Sequence, residues 1–93
     1  MLVIVKSAPD TMDGKRGIKM ARDMAADLVL LQNGVYFAQK ERLEGFCGMS
    51  YVLDDDLRLR GLKDDGMEKN IKKVDYESLV DLMGNEDKVV GMF

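Results

Sequence analysis

Two uninterrupted apolar runs, Leu2–Val5 (LVIV) and Leu28–Leu31 (LVLL), dominate the first third of the chain. Neither contains a polar position, so neither has a face to offer water. Each predicts a strand buried on both sides, as in a parallel sheet covered by helices. Met49–Leu53 (MSYVL) predicts a third strand, and Ile71–Val74 (IKKV) a shorter fourth that Lys72 and Lys73 make less buried. Val89–Val90 is the candidate for a last strand.

Between these runs the apolar period lengthens from strand to helix spacing. From about Lys15 to Ala26, Ile18, Ala21, Met24 and Ala25 share one face, while Lys19, Arg22 and Asp23 fall on the other. The preceding segment, SAPDTMDGKRG, reads as a loop leading into this helix. In Asp54–Leu62 (DDDLRLRGL) the acids at the start and the arginines near the end match the two poles of a helix dipole, and Gly61 supplies the stop. Asp75 or Tyr76 opens a final short helix carrying Leu79, Val80, Leu82 and Met83 and ending at Gly84. Strands alternating with helices predict a single α/β domain over residues 1–93, a three-layer α/β/α fold with a mainly parallel sheet of about five strands.

The second apolar run ends abruptly in Gln32-Asn33-Gly34. The polar pair predicts a strand-to-helix turn, with Asn33 capping a helix from Gly34 to about Arg42. Tyr36 and Phe37 follow. Adjacent helical positions lie about 100° apart, so one ring is expected to face outward or to pack on a neighbouring chain. Ligands of α/β sheets gather beyond the carboxyl ends of the strands. Here those ends are Lys6-Ser7, Gln32-Asn33-Gly34, Leu53-Asp54-Asp55 and Asp75-Tyr76.

Composition narrows the chemistry. With 93 residues, the chain buries only about 60–65% of its unfolded surface. A net charge of −3 argues against nucleic-acid binding as a main activity. The absence of histidine removes imidazole bases, Ser-His-Asp triads and ordinary zinc sites. A single cysteine allows no disulfide framework and points to a reduced, cytoplasmic setting. No targeting segment is expected, no apolar run approaches the length of a membrane span, and no cofactor is indicated.

Few residues remain as candidates for chemistry. Cys47, in GFCGM, is the only soft nucleophile, and a persulfide role would need an accessible thiol with a lowered pKa. Against that role, it lies at the amino end of a strand, the wrong edge of the sheet. Asp54-Asp55-Asp56 supplies hard oxygen ligands for a cation, but three consecutive helical carboxylates cannot converge on one ion, and the dipole reading is preferred. Gly14-Lys15-Arg16-Gly17 lacks the spacing of a phosphate loop. The eight methionines read as core filler, although a methionine-rich face also suits a protein interface.

The ordered set of motifs resembles a known family. LVLLQNGVYFA (Leu28–Ala38), then YVLDDDLRLRGL (Tyr51–Leu62), then VDYESLVDLM and the aromatic Phe93 are similar to the DsrH/TusB family of the DsrE-like sulfur-relay superfamily. The resemblance implies an α/β/α fold and assembly as a homodimer or as a hetero-oligomer with related DsrE-like subunits. It also implies a part in passing persulfide sulfur, towards 2-thiouridine in tRNA or in dissimilatory sulfur oxidation. In the sulfur-carrying subunits a cysteine ends the third strand, where this chain has Leu53. Near the point where some DsrH members carry a helical cysteine, this chain has Ile18, and Cys47 matches neither position. The expectation is therefore a docking subunit rather than an enzyme, with Gln32, Asn33, Gly34, Tyr36, Asp54 and Asp55 as its surface. Its rivals are a stoichiometric persulfide carrier through Cys47 and a small-ligand module at the carboxyl edge of the sheet.

Overall fold

A computed structural model describes residues 1–38, 43, 46, 48–62, 71–85 and 89–93. The chain runs β1 (Leu2–Val5), α1 (Met12–Asp23), β2 (Asp27–Leu30), a 3₁₀ helix (Gln32–Ala38), β3 (Ser50–Leu53), α2 (Asp54–Leu59), β4 (Ile71–Val74), α3 (Tyr76–Asn85) and β5 (Val89–Met92). The strands form one sheet in the order β4-β3-β2-β1-β5, with every pair parallel.

The unbroken apolar runs form the centre of this sheet. Leu2, Val3, Ile4, Val5, Leu28, Val29 and Leu30 are fully shielded from solvent, and their side chains alternate between two cores. Val3, Val5, Leu28, Leu30 and Val52 pack with Ile18 and Ala21 of α1, with Val35 and Phe37 of the 3₁₀ helix, and with Leu57 of α2. Leu2, Ile4, Val29, Leu53 and Val74 pack on the opposite face with Leu79 of α3. Steps from β1 to β4 move one strand at a time along the sheet. The return from β4 to β5 crosses the whole sheet, and α3 covers the other face, as right-handed crossovers require. This is the three-layer α/β/α fold.

One α-helix departs from its predicted limits in an instructive way, and the other two keep their expected ends. α1 begins at Met12 rather than near Lys15, because Thr11 caps it: the Thr11 Oγ1 accepts from the Gly14 amide at 3.0 Å and donates to the Ala8 carbonyl at 2.7 Å. α1 then closes on Ala25, whose φ is +51°; the Ala25 amide donates to the Arg22 carbonyl and that of Ala26 to the Ala21 carbonyl. α2 closes by the same pair of bonds, from Gly61 to Arg58 and from Leu62 to Leu57, with Gly61 at φ +67° as the expected stop. Asp75 caps α3 through the Ser78 amide at 2.7 Å, and this bond holds the Asp75 carboxyl below the usual aspartate range.

The two sheet edges differ. β4 carries the exposed Lys72 and Lys73, as its sequence predicts. β5 pairs with β1 irregularly, with a register shift between Leu2 and Ile4 and with Gly91 at φ +76°. The chain then continues into Phe93, whose amide donates to the Ile4 carbonyl at 2.8 Å and whose carbonyl accepts from the Ser7 hydroxyl. Among the described residues, no helix is long and apolar enough to cross a membrane.

The carboxyl edge of the sheet as candidate functional site

All strands are parallel, so Lys6, Leu31, Asp54 and Asp75 emerge along one edge. The connections of the neighbouring strands β3 and β4 leave that edge towards opposite faces, through α2 and α3. Doubly wound sheets place ligands at such a switch point. Leu53, the last residue of β3, occupies it with a buried apolar side chain.

The turn after β2 is built by close backbone approach. The Leu31 amide donates to the Val5 carbonyl at 3.0 Å, and the Gly34 amide returns to the Leu31 carbonyl at 2.8 Å. A side chain at Gly34 would put its Cβ 2.1 Å from the Val5 carbonyl oxygen, so only glycine fits beside β1. Gln32 reverses the chain with φ +49°, a left-handed conformation that a residue with a Cβ adopts at a cost of roughly 1–2 kcal/mol. The helix that follows is 3₁₀ from Gln32 itself, so Asn33 lies inside it and does not act as the expected cap.

The side-chain oxygen of Asn33 is used by α2 instead. Arg60 Nε donates to Asn33 Oδ1 at 3.1 Å, and Asp56 Oδ2 accepts from the Gln32 amide at 2.7 Å. Arg60, the C-cap of α2, is in turn held by Asp56 of that helix, through Nη1 to the Asp56 carbonyl at 3.2 Å and to Oδ1 at 3.7 Å. The side chains of this pair are 21% and 15% exposed, which lowers the screening of their interaction by water. The two sequence motifs of the family resemblance are therefore stitched together in space.

Among the residues read as candidates, Gln32, Asn33, Gly34 and Tyr36 form one continuous turn. Gln32 and Asn33 are exposed, Gly34 is buried and Tyr36 is half-buried. Phe37, not Tyr36, is the ring that faces the core. Asp54 is not brought to the turn; it pairs with Arg58 at 2.7 Å. Asp55 lies exposed beside Arg58 and Leu59. Asp56 and Arg60 are the residues that sequence reasoning missed as parts of this site. Their i,i+4 spacing was the available signal, but nothing local says that this face of α2 meets the turn. Cys47 lies outside the described residues. No group of three or more His, Cys, Asp or Glu side chains comes together among the described residues, so Asp54, Asp55 and Asp56 do not converge as ligands for a cation.

A separate groove of about 420 Å³ runs along α1, lined by Arg16, Lys19, Met20, Asp23, Met24 and Phe93. Lys19 and Asp23 pair across its rim at 2.8 Å, which raises the Lys19 pKa. None of these lining residues belongs to the Gln32 turn.

Comparison with known proteins places this geometry. The fold matches the crystal structure of the ychN protein from E. coli, with a TM-score of 0.82 over 98% of this chain and 97% of that one, at 15% identity. It also matches the solution structure of protein Tm0979 from Thermotoga maritima, with a TM-score of 0.69 over 94% of each chain, at 32% identity. A search of curated proteins returns no match. Residues 9–89, which include both motifs and the clamp between them, match the family model described as DsrH like protein. This protein belongs to the DsrH-like family of the DsrE-like sulfur-relay superfamily.

Proposed function

We propose that this protein is a docking subunit of a cytoplasmic sulfur-relay assembly, holding persulfide-carrying subunits in place rather than carrying sulfur itself. The assembly would serve 2-thiouridine formation in tRNA or a related transfer. One observation carries the reading. The end of β3, where carrier subunits of the superfamily resemblance place their cysteine, holds Leu53 at 3% exposure, and no thiol chemistry is possible there. Beside it, the carboxyl edge offers a turn with two exposed carboxamides, Gln32 and Asn33, in which Asp56 holds the main chain of Gln32 and Arg60 holds the side chain of Asn33. A held carboxamide at Asn33 suits recognition, because little of its side-chain entropy is lost on binding.

The test is the native mass of the protein, alone and mixed with a DsrE-like subunit whose third strand ends in cysteine. The expected result is a defined complex that forms equally well with Cys47→Ser. A wild type that takes up one sulfur from a persulfide donor, reversibly and only when Cys47 is present, would replace the docking role with the carrier role. Failure to associate with any such subunit, joined to a thermal shift with a small anion or nucleotide, would favour a ligand-binding module.

A further inference from the structure

We infer that Arg60 and Asp56 are positioning residues that aim the carboxamide of Asn33, so that the docking turn presents hydrogen-bond donors to acceptor oxygens on its partner. This inference rests on the docking role proposed above.

The Asn33 side chain has one acceptor end and one donor end. Arg60 Nε occupies the acceptor end at 3.1 Å, which fixes the amide orientation and leaves the NH2 group as the end that exposed Asn33 offers. Arg60 itself cannot swing away freely, because Asp56 holds it through both a main-chain and a side-chain oxygen. The same Asp56 takes the Gln32 amide at 2.7 Å and so supports the left-handed turn that carries Asn33 outward. These contacts reach from α2 and its C-cap across 24 and 27 residues of chain, so a separate element supports the turn in addition to its own Gly34. The matching partner surface carries backbone carbonyls or carboxylates where it meets Asn33.

Two variants test this, with the cysteine-bearing DsrE-like subunit as the probe. Asn33→Asp keeps an oxygen for Arg60, and strengthens that bond with a charge, but replaces the outward donors with an acceptor. It is expected to bind the probe at least tenfold more weakly, with a Tm equal to or above that of the wild type. A merely structural Asn33 would lose no affinity on this change. Asp56→Ala is expected to speed hydrogen exchange of the Gln32 amide at least tenfold and to weaken binding as well. Wild-type affinity in Asn33→Asp, or unchanged Gln32 exchange in Asp56→Ala, overturns the inference. A wild type that does not associate with the probe overturns the docking role and this inference with it, a result distinct from selective failure of the variants.

Discussion

The C-termini of α1 and α2 are closed by the same two hydrogen bonds, but one uses Ala25 and the other Gly61 at the left-handed position. This makes a matched pair. A left-handed backbone costs an alanine roughly 1–2 kcal/mol, whereas glycine adopts it without strain. Exchange of alanine for glycine also gives the unfolded chain more freedom, which offsets about 0.4–1 kcal/mol. Ala25 is exposed, so no packing is lost on its removal, and a Cβ at Gly61 would meet nothing within 4 Å. Ala25→Gly should therefore stabilise the protein by about 0.5–1 kcal/mol, and Gly61→Ala should destabilise it by a similar amount. For a domain of this size the corresponding change in Tm is roughly 3–6 °C in each direction. Thermal and urea unfolding followed by circular dichroism would read both, with an unchanged urea slope confirming that the native state is the same. A lower Tm for Ala25→Gly, or no change for Gly61→Ala, would refute the strain argument.

Other outcomes follow from the same contacts. Gly34→Ala should destabilise by about 3 kcal/mol or abolish folding, because its Cβ would collide with backbone, and a Tm within a few degrees of wild type would contradict the close approach. The Asp75 carboxyl is held below the ordinary aspartate range by the Ser78 amide, so its stabilising contribution is complete at neutral pH and is lost as pH falls through its depressed folded-state value. Asp75→Asn keeps a cap but cannot titrate, so the advantage of wild type over this variant in Tm should shrink towards low pH; a constant difference would refute the assignment. Intact-mass measurement after incubation with a persulfide donor should show no sulfur on the native protein, and a reductant-sensitive gain of one sulfur that Cys47→Ser abolishes would contradict the docking role.

Much of the fold is legible in the chain because its central strands have no polar position to confuse the period. LVIV and LVLL specify burial on both faces, and IKKV carries the lysines of an edge. The start of α1 is harder to read. Gly14 and Gly17 lower helix propensity where the helix begins, yet both are buried at close contacts, Gly14 against the Ala8 carbonyl and Gly17 against Val5 and Phe93. Tertiary packing outweighs local preference there. The candidate site is half legible for the same reason. Gln32-Asn33-Gly34 marks a turn, but the left-handed backbone of Gln32 and the reassignment of Asn33 from cap to Arg60 acceptor depend on α2 lying beside β2's exit. That neighbourhood comes from strand order, which connects distant segments and leaves no local trace. Which of three consecutive aspartates reaches the turn is decided by the phase of α2, and Asp56 is the one that shares a helix face with Arg60.

The unlike edges of the sheet have a consequence for solubility. A parallel sheet with two open edges is a template onto which further strands can add, the route to fibrous aggregates. Here one flank is guarded by charge, through Lys72 and Lys73, and the other by shape, through the kink at Gly91 and the shifted register of β5. Neither guard depends on the other, so a mutation that neutralises the lysines leaves the kinked flank still closed to regular pairing. Regular strand addition is thereby disfavoured at both flanks, by charge at one and by shape at the other.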